Sequence, residues 1–286
     1  MFIKYFNLIK PRIVIGNLIS CLGSFLLASK GNINYLLLFN TLIGMFAVLS
    51  SSCMLNNLID CDIDCKMQRT KNRIYILNSI TFYLVFFIAL FFGFLGFIFL
   101  YKFCNMFISI LSLIGFLIYV ILYSLIMKRY FIHSILIGSL SGSIPPIIGY
   151  CSVTNNFDYC AFILFIMYIF WQIPHSYSSM IYNICDYRKI DIKILPIVKG
   201  ILLTKKYIIF YIIIFSLSSL FLYFFNYVNY KYLIVISCAD FFWFFISCIG
   251  FIYLNNDRIW SRCVYLYSLL IVVLINFMIS IDYVIY

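Results

Sequence analysis

The chain has 286 residues, 65% of them hydrophobic and 10% charged, and its twenty Lys and Arg against nine acidic residues, all Asp, give a formal net charge of +11. A soluble domain is roughly half apolar and about a quarter charged, so this composition, with a mean hydropathy of +1.08, excludes a soluble fold. Alternation at period two never dominates the long apolar runs, which excludes a β-barrel, and the cations are spread over separate loops rather than one basic face, which excludes nucleic acid as a partner.

In chain order, runs long enough to cross about 30 Å of hydrocarbon predict nine spans, at 13–29, 35–59, 76–100, 104–127, 132–153, 157–182, 207–229, 231–253 and 262–281. The expected fold class is therefore all-α, a polytopic membrane protein with nine transmembrane helices. The first run follows a basic head, as a signal peptide does, but no small-x-small cleavage site precedes the next span, so it is kept as a helix. Seventeen of the twenty cations fall on one side of the membrane. They are Lys4, Lys10 and Arg12; Lys66, Arg69, Lys71 and Arg73; Lys128 and Arg129; Arg188, Lys189, Lys193, Lys199, Lys205 and Lys206; and Arg258 and Arg262. Only Lys30, Lys102 and Lys231 lie opposite. Positive loops stay cytoplasmic, so the N-terminus is expected in the cytoplasm and the C-terminus outside it.

The loop after the second span carries Asn56, Asn57, Asp60, Asp62 and Asp64 and then Lys66, Arg69, Lys71 and Arg73. Asn56, Asp60 and Asp64 are four apart, so a continuing helix would line them on one face and turn Asp62 elsewhere. Two carboxylates about 6 Å apart repel by roughly 3 kcal/mol at an effective dielectric near 20, so a positive group must sit between them. Carboxylate and amide oxygens are hard donors of the kind Mg²⁺ shares with substrate phosphates, and the following cations can reach phosphate oxygens. A plainer reading makes the cations a membrane anchor and the aspartates their solvated counter-charges.

Further along, Pro145-Pro146 between Gly142 and Gly149 should break the fifth span. It holds either a packing kink or a contact for a planar or prenyl ligand. The loop after the sixth span, from Asp186 through Asp191, Lys193 and Pro196 to Lys199-Gly200, repeats the acid-plus-base pattern on the same side. The two loops could converge on one diphosphate, although ordinary connectors also carry Lys and Asp. Of the two histidines, His175 follows Pro174 within a span and His133 stands at a helix start beside Lys128 and Arg129. Asp240 lies in the middle of span eight, where an unpaired charge costs at least about 2.5 kcal/mol. The eleven cysteines form no CxxC pair and read as small apolar filler. Cys61 and Cys65 flank the aspartates without a further Cys pair or His to complete a thiolate metal site.

Four segments carry a resemblance: Asn56 to Arg73 (NNLIDCDIDCKMQRTKNR), Gly138 to Tyr150 (GSLSGSIPPIIGY), Trp171 to Ser176 (WQIPHS) and Leu195 to Gly200 (LPIVKG). With Lys10-Pro11 near the start and Asp257 to Trp260 near the end, they closely resemble the bacterial protohaem IX farnesyltransferases of the UbiA superfamily of intramembrane prenyltransferases, collinearly over nearly the whole chain. The resemblance implies one domain over residues 1–286, nine helices around a central chamber, with polar loops 60–74 and 183–206 capping the active site. It implies that Asn56, Asp60 and Asp64 are catalytic and hold Mg²⁺, with Asp186 as a further metal ligand. Arg69, Lys71, Arg73 and Lys199 would grip the diphosphate, and His175, Trp171 and His133 would contact haem. The implied substrates are farnesyl diphosphate and haem B, and the product is haem O. The implied place is the bacterial inner membrane, with the site facing the cytoplasm and haem A synthase or terminal oxidase assembly factors as partners. The sequence departs from the superfamily pattern at Ile190, where another Asp is common, and at Asn183 and Cys185, where basic or charged residues are common. Two other readings remain at this stage. One is a prenyltransferase of the same superfamily acting on 4-hydroxybenzoate or another quinone precursor, and the other is a secondary transporter built on Asp240 and the broken fifth helix.

Overall fold

The structure is a computed structural model describing residues 7–70, 82–190, 192–252 and 256–284. Among these residues nine helices are long and apolar enough to cross a membrane. They are α1 (Pro11–Ser29), α2 (Tyr35–Ile59), α3 (Phe82–Phe103), α4 (Met106–Tyr130), α5 (Ser134–Thr154), α6 (Tyr159–Tyr182), α7 (Ile201–Phe224), α8 (Tyr230–Ile252) and α9 (Asp257–Ile281). Their large apolar side chains, such as Phe87, Phe91, Phe94 and Phe241, point outward. That inversion is stable only where lipid is the solvent. Serines and glycines instead fill the helix contacts, as where Ser51 Oγ of α2 donates to the Ala89 carbonyl of α3 at 2.6 Å.

The expected spans match these helices to within about three residues apart from the seventh, which runs over Ile201–Phe224 rather than 207–229, and the ninth, which begins at Asp257 rather than 262; residues 76–81 of the expected third span lie outside the described residues. The expectation counted Lys205 and Lys206 among the cations of the cytoplasmic loop. Lys205 is nevertheless buried, paired with Asp257 at 2.5 Å, donating to the Gly250 carbonyl at 2.6 Å and lying 4.9 Å from the Trp260 ring centroid. A buried cation is tolerated where its charge and donors are all met, and this one clamps α7 to α8 and α9.

The fifth span is broken as expected. Ser134–Gly142 and Ile144–Thr154 meet at Ser143, and Pro145 and Pro146 occupy the first turn of the second half, where a missing N–H leaves no bond unmade. At Gly149 an added Cβ would lie 2.0 Å from the Cys21 carbonyl oxygen, so only glycine lets α1 and α5 approach so closely.

The remaining aspartates far from the charged loops are structural. Asp158 accepts the Ala161 N–H at 3.0 Å and the Tyr150 hydroxyl at 2.8 Å, and Asp282 accepts the Tyr232 N–H at 2.6 Å. Asp240 Oδ2 lies 3.0 Å from Ser219 Oγ of α7, a polar tie between two helices.

Candidate functional site

The helical register runs through the end of α2 into a short helix, Cys61–Asp64. Asp60 N–H bonds the Asn56 carbonyl at 2.9 Å and Asp64 N–H bonds the Asp60 carbonyl at 2.8 Å. Asn56, Asp60 and Asp64 are accordingly in one register and all buried, whereas Asp62 is exposed. Burying two carboxylates and an amide beside each other needs compensation, and it comes from chain segments far away in sequence.

Lys128 Nζ lies 2.5 Å from Asp60 Oδ2, and Asn56 Nδ2 donates to the same oxygen at 2.9 Å and to Ser124 Oγ at 2.8 Å. Ser124 passes its own proton to the Tyr119 carbonyl at 2.8 Å, which fixes the amide orientation and leaves Asn56 Oδ1 to accept from Lys10 Nζ. Beside them Arg129 forks onto Asp62 at 2.7 and 2.8 Å. These bonds hold the Asp62 carboxyl below its ordinary value of 3.8. Of the lysines at this cluster, Lys128 pairs with Asp60 and Lys10 donates to the Asn56 amide oxygen.

Sequence reasoning counted Lys10 and Lys128 among the cytoplasmic cations, and Lys10 also in the resembling Lys10-Pro11 pair, but gave neither a role at the site. Lys128 is aimed by a π-helical stretch, Ile118–Met127, which carries extra residues per turn and so rotates whatever follows; such insertions recur at functional sites. Lys10 sits at φ 52°, in the left-handed region, a conformation that costs a non-glycine residue roughly 1–2 kcal/mol and has to be held by its surroundings. Asn57 helps to hold it, donating to the Leu8 carbonyl at 2.6 Å and tying the turn before α1 to the end of α2.

The two charged loops converge. Both oxygens of Asp186 accept backbone N–H groups of the first loop, from Gln68 at 3.3 Å and Arg69 at 3.4 Å. Beneath them Ile63 and Met67 pack with Ile192 and Ile194 in one apolar cluster. The Arg69 and Lys199 side chains are exposed, while Lys71 and Arg73 lie outside the described residues. Cys61 is no better a metal ligand than its spacing indicated, since burial and then the neighbouring Cys65 push its thiol upward, away from the thiolate.

The residues that would hold Mg²⁺ have the right chemistry for it. They are hard oxygen donors, and Asp60 Oδ1 is buried with no hydrogen-bond partner. Among the described residues no three His, Cys, Asp or Glu side chains close into a metal cage, so the donor set is that of a partial shell.

His175 and Trp171 come together on α6, with ring centroids 5.0 Å apart and planes 23° from parallel. Tyr265 of α9 closes on His175 at 4.8 Å, and Trp171 Nε1 donates to the Ser268 carbonyl at 2.9 Å. His133 is elsewhere. It precedes α5, lies 6.1 Å from the Tyr207 ring, and lines a cleft of about 480 Å³ with Tyr130, Phe131 and Lys193.

Residues 17–270 match the model of the UbiA prenyltransferase family. The chain is 43% identical over 285 residues to the protoheme IX farnesyltransferase of an Enterobacter species, covering 99% of this chain and 96% of that one. It is also 43% identical over 279 residues to the same-named protein of Photorhabdus laumondii, covering 98% and 95%. Among solved structures, digeranylgeranylglyceryl phosphate synthase superposes with a TM-score of 0.80 at 18% identity, over 98% of both chains. A UbiA homologue of Archaeoglobus fulgidus bound to DMAPP and Mg²⁺ superposes at 0.70 and 15% identity, covering 94% of this chain and 99% of that one.

Proposed function

The chain belongs to the UbiA prenyltransferase family, and we propose that within it this membrane protein transfers the farnesyl group of farnesyl diphosphate to the 2-vinyl group of protohaem IX, with addition of water, to give haem O. The observation that carries this reading is the 43% identity, over 99% of the chain, to a protoheme IX farnesyltransferase. The positive-inside pattern supports an N-terminus in the cytoplasm and a site opening to that side of a bacterial inner membrane.

Asn56, Asp60 and Asp64 would hold Mg²⁺, with Asp186 reaching it from the second loop. When bound, the ion neutralises charge on the departing diphosphate. The chain's own cations do the rest of the binding. Lys10 and Lys128, which donate to Asn56 and Asp60, can turn to phosphate oxygens once those groups are otherwise engaged, and Arg69, Lys71, Arg73 and Lys199 would grip the diphosphate. Cationic groups fixed before the reaction stabilise the charge that develops as the carbon–oxygen bond breaks. The farnesyl group leaves as an allylic cation, the vinyl π electrons attack it, and the new cation beside the porphyrin takes up water and loses a proton. Apolar helix walls keep water from the first cation. Trp171 and His175 would contact the porphyrin, and His133 and Lys193, at their separate cleft, would make an outer contact with the haem.

Membranes carrying the protein, given haem B, farnesyl diphosphate and Mg²⁺, should yield haem O by mass spectrometry. Asp60→Asn and Asp64→Asn should abolish it while the protein remains inserted. Prenylated 4-hydroxybenzoate in place of haem O would overturn the choice of acceptor, and full activity in both variants would overturn the metal assignment.

A further inference from the structure

Two arginines of α9 share one aromatic ring of α6. The guanidinium carbons of Arg258 and Arg262 lie 5.5 and 5.9 Å from the Tyr182 centroid. Among the described residues neither makes an ion pair, although the neighbouring Asp257 is taken by Lys205. Like charges four residues apart on a helix repel, and a ring face offsets only part of that. Two exposed guanidinium groups so placed match in charge a ligand that carries two separate carboxylates.

The same face of α9 continues inward to Tyr265 and Ser268, at the spacing that keeps helical residues in line. Opposite them on α6 run Tyr182, His175 and Trp171. The two helices are antiparallel, so the seam reads from the charged end inward as Arg258 and Arg262 on Tyr182, then Tyr265 on His175, then Ser268 on Trp171. Cations stand at one end and flat aromatic faces at the other.

The His175 tautomer follows from hydrogen-bond arithmetic. Ser268 has one hydroxyl proton, which it donates to the Tyr265 carbonyl at 2.6 Å. Toward His175 Nδ1, 2.7 Å away, Ser268 Oγ can then only accept, so Nδ1 carries the hydrogen. Nε2 keeps its lone pair and has no partner among the described residues. Seven residues separate His175 from Tyr182, about 10 Å along the helix axis, close to the reach from the centre of a porphyrin to the ends of its propionates.

We propose that Arg258 and Arg262 form the propionate clamp of the acceptor site, placing the porphyrin along the α6–α9 seam with its iron at His175 Nε2, and that Ser268 is the positioning residue that keeps that nitrogen unprotonated. The inference rests on the reading that the acceptor is protohaem. It makes the two arginines the determinants of specificity for a dicarboxylate acceptor over a small phenolic acid.

The test uses the purified full-length protein in detergent, with haem B titrated by its Soret band and no farnesyl diphosphate present. Both arginines are exposed, so Arg258→Gln and Arg262→Gln should leave the fold intact. Each should weaken haem binding by about tenfold or more, the scale of one charge-assisted hydrogen bond. Haem B dimethyl ester should bind the wild type as weakly as haem B binds the double variant, and the double variant should no longer distinguish the two. In turnover the arginine variants should raise KM for haem and leave KM for farnesyl diphosphate unchanged. Ser268→Ala should change the Soret spectrum of the bound haem, and Ser268→Thr should restore it. Equal affinity of the double variant and the wild type for haem B would make the arginines lipid anchors and overturn the clamp even if haem O is formed. A wild type that binds no haem at all and makes no haem O would instead remove the premise, and the inference with it.

Discussion

Replacing Lys128 by methionine tests whether this lysine compensates the buried Asp60 carboxylate. The ammonium is 2.5 Å from Asp60 Oδ2, and the carboxylate is 2% exposed. At that distance an effective dielectric near 20 gives a gross attraction of about 7 kcal/mol, most of it cancelled by the cost of taking both charges out of water. Removing only the lysine leaves that desolvation cost in place. Asp60 would keep the Asn56 amide at 2.9 Å but no cation of its own, a situation that typically costs about 3–5 kcal/mol. Asp60→Asn in the same background removes the stranded charge, so the double variant should recover most of the loss. The assay is reversible unfolding of the purified protein in mixed detergent, followed by tryptophan fluorescence for the wild type, both single variants and the double variant. A Lys128→Met effect below about 0.5 kcal/mol, the usual size of a surface substitution, or a double variant equal to the sum of the singles, would refute the reasoning.

Lys205→Met should cost a similar 3–5 kcal/mol, because it strands Asp257 and frees the Gly250 carbonyl, and the same unfolding series measures it. Asp62→Asn should cost no more than about 1 kcal/mol, since the Arg129 pair is largely exposed. Because Arg129 lowers the Asp62 carboxyl from 3.8, that small contribution is complete above this value and is lost as pH falls through the lower folded value. The gap between wild type and Asp62→Asn should therefore stay constant from about pH 7 to pH 5, and unfolding at both pH values checks it. Gly149→Ala would press a Cβ against the Cys21 carbonyl and should destabilise by about 1–3 kcal/mol, with a lowered melting temperature and no change in the haem-to-farnesyl product ratio.

The sequence by itself determined the nine spans, their sidedness as an expectation, and the residues of the first charged loop, because hydrocarbon thickness and the cost of buried charge act on local composition. It also placed the break of the fifth helix, since two prolines act on their own backbone. What it missed lies in pairings between distant segments. Lys128 reaches Asp60 only because a π-helical stretch rotates it there, and Lys10 reaches Asn56 from a strained turn pinned by Asn57. Lys205 was counted as a loop cation, outside the seventh span, because its partners, Asp257 and the Gly250 carbonyl, belong to other helices. The alignment of Arg258 and Arg262 with Tyr182, and of Ser268 with His175, likewise exists only once α6 and α9 are packed antiparallel. Hydropathy is a sum over neighbours along the chain, whereas the compensation of a buried charge depends on neighbours in space, and only the tertiary structure decides those.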